Sequence, residues 1–307
     1  MTTWDIVVVG GINIDLLARS RHLPVAGYTV EGDLFRRVAG GKGANQAVAA
    51  VRLGASVALV GCIGDDETGQ ELLALLDAEG IDNQFIVTDN LAPTGVTLTQ
   101  VDSQGKRQSI SVSGANCRLA VSNIPSSAIS TARAVLVQMD VPIDCVREAS
   151  RLGHAAGAKV ILDPSPPIHL PDELLRLADV VKPNAHEAEV LTGIHVHDRA
   201  SARVAADRLR ERGVKAVAIQ AGNEGNLIVW EGGVSWNPLL PVKTVDTTGG
   251  GDAFTAALAV ALAEGQSLEQ AGPFANAAAA LATTDFGPQT ALPTRAEVED
   301  LLHKERP

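Results

Sequence analysis

The chain has 307 residues, 46% of them apolar and only 3% aromatic, enough for a substantial core of Ala, Val, Leu and Ile in one large α/β domain or two small ones. A formal net charge of −11 argues against a nucleic-acid surface. Cys62, Cys117 and Cys145 form no CxxC pair, the histidines show no metal spacing, and neither a signal-peptide pattern nor an apolar run of about 18 residues is present. Zinc, a disulfide framework and a membrane span are therefore not expected, and a reduced, cytoplasmic setting is.

In chain order, the first predicted strand is Ile6–Val9, a β-branched run of the kind buried on both faces of a sheet. It ends in Gly10-Gly11-Ile12-Asn13-Ile14-Asp15. Thr29 to Ala39 has no helical pattern. A helix follows Gly40-Gly41-Lys42-Gly43-Ala44-Asn45, runs from Gln46 to Leu53 and stops at Gly54. Ser56 to Gly61 predicts a strand, and Thr68 to Glu79 a helix closed by Gly80. Thr94 to Ser113 alternates, with Asp102-Ser103-Gln104-Gly105 as a turn signal. Further strands are predicted at Ala134 to Gln138, Lys159 to Leu162, Val180-Val181 and Ala216 to Gln220. Further helices fall near Ile143 to Ala156, Ala185 to Thr192 and Ala200 to Arg212. This alternation predicts an α/β fold, a mostly parallel sheet with helices on both faces. The stretches that break the rhythm, about residues 12–39 and 94–113, predict antiparallel strands of a small β lid. No linker separates them, so one domain of residues 1–307 is expected.

The most informative run is Val245-Asp246-Thr247-Thr248-Gly249-Gly250-Gly251-Asp252-Ala253-Phe254, followed by an alanine-rich apolar helix. Glycines at a helix start let the first N–H groups close around an anion, assisted by the helix dipole. Asp252 falls in the first turn, where an acidic side chain also suits simple capping. Each glycine costs about 1 kcal/mol against Ala in an ordered segment, more than a cap requires. An anion hole beside a carboxylate base suits transfer of a phosphoryl group to a hydroxyl that loses its proton.

Three other polar clusters fall at predicted strand ends, where open α/β sheets bind ligands. Asn13 and Asp15 are two residues apart and either face one side of a strand or form a turn. Lys42 opens a helix, where a cation is unfavourable unless it serves a ligand or is merely solvated. Asn184 and Glu187, in Lys182-Pro183-Asn184-Ala185-His186-Glu187, have the spacing of a capping box and equally of a ligand pair.

Together these clusters resemble the ribokinase-like, PfkB family of carbohydrate kinases over essentially the whole chain. Gly40 to Ala47 looks like the family's N-terminal signature, Asp246 to Asp252 like its C-terminal signature, and Asn184-Ala185-His186-Glu187 like its Asn-x-x-Glu motif. The resemblance implies an ATP-dependent sugar kinase acting on a hydroxymethyl group, with D-ribose the leading acceptor. It makes Asp252 the base and Gly249, Gly250 and Gly251 the anion hole. Asn13, Asp15, Gly41, Lys42, Gly43, Ala44, Asn45 and Asp140 would surround the sugar. Asn184 and Glu187 would organise Mg²⁺ and phosphates, largely through water. Gln220, Ala221, Gly222, Asn223, Glu224 and Gly225 would lie along the nucleotide, with Gly251 at its phosphates and Asn276 near adenine. Asp246, Thr248, Ala282, Asp285, Gly287 and Ala291 match a K⁺ loop, and the lid would form a homodimer interface.

Departures from the family pattern are Asp140 for a Glu, Gln220-Ala221 for a hydroxyl-bearing segment, Gly250 for an Ala and Ala291 for a Ser. They bear on which sugar is used and on potassium dependence. A P-loop kinase and a dinucleotide-dependent dehydrogenase are excluded because G-x-x-x-x-G-K-[ST] is absent and the first strand does not lead into G-x-G-x-x-G. Kinases for another pentose, a hexose or a nucleoside remain open, as does a sugar-binding regulatory protein. Thr94 to Ser113 holds no aromatic residue to stack on a nucleobase.

Overall fold

The computed structural model describes residues 3–221 and 224–305. Its strands are β1 (Ile6–Val9), β2 (Asn13–Ser20), β3 (Gly32–Gly40), β4 (Val57–Gly64), β5 (Asp82–Asp89), β6 (Gly95–Val101), β7 (Arg107–Val112), β8 (Ala134–Gln138), β9 (Lys159–Asp163), β10 (Val180–Val181), β11 (Ala216–Gln220), β12 (Gly225–Trp230) and β13 (Gly233–Pro238). Its helices are α1 (Lys42–Arg52), α2 (Glu67–Ala78), α3 (Ser126–Ile129), α4 (Ile143–Ala156), α5 (Asp172–Leu177), α6 (Ala185–Thr192), α7 (Arg199–Glu211), α8 (Gly250–Ala263), α9 (Leu268–Leu281) and α10 (Arg295–Lys304). None of them is long and apolar enough to cross a membrane.

Among the described residues the main sheet runs β13-β12-β11-β10-β9-β8-β1-β4-β5. From β5 to β11 neighbouring strands are parallel, and β12 and β13 add an antiparallel edge. β1 lies in its interior, third from the β5 edge, with all four residues fully buried, which is why its sequence is apolar without alternation. Ile6 and Val8 face a core shared with α1, α2, α8, α9 and α10. Val7 and Val9 face a second core shared with α3 to α7. Helices thus cover both faces. Buried side chains of this size contribute about 1.5–3 kcal/mol each, so β1 alone contributes an amount comparable to the roughly 5–15 kcal/mol net stability of a domain. α8 is apolar on every side and buried almost throughout, and its alanines allow close approach to α1 and α9.

Strands β3-β2-β6-β7 form a separate sheet over the carboxyl end of the main one. β2–β3 and β6–β7 are antiparallel, but β2 and β6 are parallel, with Asn13 opposite Gly95 and Asp15 opposite Thr97. This corrects the all-antiparallel expectation. β2 follows β1 and β6 follows β5, two parallel strands, so both leave the main sheet in the same direction. Strand β2 itself corrects the alternative of a turn at Asn13 and Asp15.

Candidate active site

Two helices open onto the carboxyl end of the main sheet from glycines with left-handed backbone. Gly41 precedes α1 with φ +86°, and a Cβ there would lie 2.6 Å from the Gly11 carbonyl oxygen. Gly249 precedes α8 with φ +85°, and its Cβ would lie 2.3 Å from the Pro288 carbonyl oxygen. Each therefore requires glycine on grounds of both conformation and space. At α8, Gly250 N–H makes a long 3.4 Å bond to the Thr247 carbonyl. Among the described residues the N–H groups of Gly251 and Asp252 have no acceptor, which leaves an open anion-binding helix end.

Asp252 is 5% exposed and held from both sides. Asn45 Nδ2 donates to one carboxylate oxygen at 2.9 Å, and Gln46 Nε2 to the other at 3.1 Å. Lys42 Nζ stands 3.8 Å away. Gln46 also donates to Asp163 at 2.9 Å and accepts from Gln138 Nε2 at 2.6 Å. Neither Gln46 nor Asp163 is marked by spacing, since their partners lie far away in sequence.

Because β2 is a strand, Asn13 and Asp15 face the same side, both buried. Asn116 fixes Asn13 by donating to its Oδ1 at 2.7 Å, and Asn13 Nδ2 donates to Thr97 Oγ1 at 3.1 Å. Burial pushes the Asp15 carboxyl up to about 7, with the charges of Asp252 and Asp140 adding. Burial likewise pushes Asp140 up to about 6 and Asp163 up to about 7. Burial acts to lower Lys42, but the carboxylates of Asp252, Asp163, Asp140 and Glu187 outweigh it and hold the ammonium above its usual value. A cation at the start of α1 is thus stabilised by the carboxylates that surround it. Asp140 accepts from the Lys42 backbone N–H at 3.1 Å and so also caps α1.

These groups share one cavity of about 820 Å³. Asn13, Asp15, Gly41, Lys42, Asn45, Asp140, Asn184, Glu187, Gln220, Thr248, Gly249, Gly250, Gly251, Asp252 and Asn276 line it. Gly43 and Ala44 do not; Gly43 lets α1 pack against the backbone of Gly10, and Ala44 is core. Ala221, Glu224 and Gly225 also lie off the cavity. Ala221 is core, Glu224 accepts from Arg199 N–H at 3.0 Å, and Gly225 starts β12 in close contact with Asn237. Gly222 and Asn223 fall outside the described residues. Asn276 is clamped between Asn226 Nδ2 at 2.8 Å and the Pro238 carbonyl at 2.7 Å. Around it Leu239, Leu240, Val242 and Ala279 make an apolar slot that periodicity does not reveal.

Asn184 and Glu187 form the reciprocal capping box, with bonds of 2.8–2.9 Å. The capping reading is therefore correct, and it leaves the ligand reading standing, because both residues also line the cavity. Among the described residues no three acidic, His or Cys side chains converge as a direct metal site; Glu187, Asp252 and Asp163, whose buried Oδ1 lacks a partner, line the cavity separately, so a divalent ion there would be reached largely through water. Asp246 lies beside rather than on the cavity. Its carboxylate accepts from Thr248 N–H at 3.0 Å, Thr248 Oγ1 at 2.7 Å and Gly287 N–H at 3.1 Å. It is 4% exposed and makes no salt bridge among the described residues, which leaves its charge to these hydrogen bonds or to a bound cation. Asp285 turns away, 3.6 Å from Arg36, so its side chain is not available to such an ion.

The model of the pfkB family of carbohydrate kinases matches residues 4–295. The chain belongs to this family. Curated ribokinases of Haemophilus influenzae and Bacillus subtilis are 37% and 39% identical to it, covering 97% of this chain and 98% and 99% of theirs. The structure of Arabidopsis thaliana ribokinase complexed with ribose and ATP superposes with a TM-score of 0.88 at 32% identity, covering 98% of this chain and 99% of that one. As a member of this family the chain is a kinase that transfers a phosphoryl group to a hydroxyl.

Proposed function

We propose that this kinase transfers the γ-phosphoryl group of ATP to O5 of D-ribose. The observation that carries the reading is the placing of Asp252, a buried carboxylate held by Asn45 and Gln46 in the first turn of the anion-binding helix, on the cavity that Asn13 and Asp15 line. Asn13, Asp15, Lys42, Asn45 and the Gly41 backbone hold the sugar hydroxyls, with Asp140 behind Lys42. Asp252 takes the proton of the hydroxymethyl group as its oxygen bonds to the γ-phosphorus. The bond to the β,γ-bridging oxygen breaks and ADP leaves. The N–H groups that follow Gly249 stabilise charge on the phosphoryl oxygens. Gln220 and the slot around Asn276 suit the nucleotide. Asn184 and Glu187 would hold Mg²⁺, largely through water, and the ion would neutralise phosphate charge. The lid wall of Thr97, Thr99, Ser109 and Ser111 offers hydroxyls and no aromatic ring, which favours a small sugar over a nucleoside.

The lid's outer face leaves Phe35, Leu98, Ile110 and Val112 exposed, at 65%, 44%, 65% and 53%. This patch supports a homodimer through the lid. The reading also places the enzyme in the cytoplasm, with its cysteines reduced. A thermal-shift panel of pentoses, hexoses and nucleosides tests the substrate. Ribose should give the largest shift, and a larger one for a nucleoside would move the assignment.

K⁺ should raise activity over Na⁺, and Asp246→Ala should abolish the difference. The ion would fix the backbone before the anion hole without touching reacting atoms. Equal initial rates in K⁺, Na⁺ and a bulky organic cation would show that the three hydrogen bonds to Asp246 suffice.

Sugar affinity should fall in acid. Asp15, pushed up to about 7 by burial, is protonated below that pH and then accepts fewer hydroxyl hydrogen bonds. The sugar prefers the ionised form, so its dissociation constant should rise by up to roughly tenfold per unit as pH drops below about 7. Calorimetry between pH 5.5 and 8.5 reads this directly; a constant affinity would remove Asp15 from the sugar contacts.

A further inference from the structure

We infer that Arg107 is a positioning residue that latches the closed lid onto the anion-hole loop through the Thr248 hydroxyl. Arg107 begins β7, a strand exposed along its whole length. Its Nη1 donates to Thr248 Oγ1 at 2.9 Å, across 141 residues of sequence. Among the described residues this is the one hydrogen bond between the lid strands and residues 246–252. The Thr248 hydroxyl in turn donates to Asp246 at 2.7 Å. Guanidinium, hydroxyl and carboxylate therefore form a polarised chain in which each bond strengthens the next. Thr248 directly precedes Gly249, whose left-handed turn aims the anion-binding N–H groups.

The neighbouring lid strands are fixed by different means. Phe286 is buried with Leu17 and Val101, and Arg36 Nη1 donates to its carbonyl at 2.7 Å. Val101 lies directly opposite Arg107, so β6 has its apolar anchor at the same level, whereas β7, whose Ser109 and Ser111 face the cavity, has none. The lid thus has inner strands anchored by apolar packing and an outer strand tied to the loop by one charged hydrogen bond. Displacing β7 from the cavity breaks the Arg107 bond and releases the loop from that side, and its return restores it. Capture of the acceptor is in this way coupled to order in the anion hole.

The inference rests on the kinase reading, and its test includes a readout independent of turnover. Arg107→Ala, at an exposed position, should lower kcat roughly tenfold, the effect of losing one charge-assisted hydrogen bond. KM for ATP and the dissociation constant of the sugar without nucleotide should stay within about threefold. Thr248→Val should match it, and the double variant should be no worse than either single one. Hydrogen exchange at residues 107–112 and 248–251 should quicken in Arg107→Ala even without substrates. A kcat within about twofold of the parent, a multiplicative double variant, or unchanged exchange would each overturn the latch. A multiplicative result would place the guanidinium on the ligand instead.

Discussion

Replacing Asp252 with Asn is expected to lower kcat by about 10²–10⁴ while ATP and sugar binding stay within a few-fold. Removing a general base raises the barrier by that order without removing the shape of the site. The substituted carboxamide keeps one oxygen that accepts from Asn45 or Gln46, so one of the two hydrogen bonds survives and the side chain keeps its place and size. Single-turnover rates together with calorimetric binding separate the two effects. Binding lost in parallel with rate would assign Asp252 a structural role, and near-normal rates would exclude it as the base.

Gly249→Ala is expected to be almost as damaging, for a reason in the backbone. The added Cβ would sit 2.3 Å from the Pro288 carbonyl oxygen in a φ of +85°. No rotamer relieves contact with a carbonyl, and the left-handed conformation alone costs about 1–2 kcal/mol for a residue with a side chain. The turn must shift, and the N–H groups after it lose their aim. A fall in kcat of about 10²–10³ is expected, the size of losing an oxyanion-type donor. The control is Gly250→Ala, where a Cβ meets only Thr283 Cγ2 at 3.3 Å and the Ala279 carbonyl at 3.4 Å. That variant should stay within a few-fold of the parent. Equal losses in both would mean that helix flexibility, rather than the Gly249 turn, sets the rate.

The sequence was legible where a residue's role is local. β1 reads as an interior strand because it is apolar throughout, and the glycines before α8 announce a backbone function wherever the chain goes. β5 is missed because an edge strand, half-buried over Asp82 to Asp89, needs no continuous apolar run. β12 carried a signal in Leu227-Ile228-Val229-Trp230 that the alternation argument, which stops at Gln220, leaves unused. Asn13 and Asp15 fit a turn as well as a strand because a ligand-facing strand puts polar side chains where a core strand has Val. Asp163, Gln46, Asn116 and Arg107 stayed invisible for a different reason. The partners that fix them in the site lie between 92 and 206 residues away, so only folding brings them together. Asp140 shows how one residue can serve two ends: it lines the cavity and caps α1, and spacing discloses neither.

The most direct measurement is turnover by the purified protein with ATP, Mg²⁺ and K⁺ across a panel of pentoses, hexoses and nucleosides, with the product's phosphate position read by ³¹P NMR. The account predicts ADP release that is fastest with D-ribose and a phosphate on O5. No ADP release with ribose, while another acceptor in the panel is phosphorylated, would contradict it.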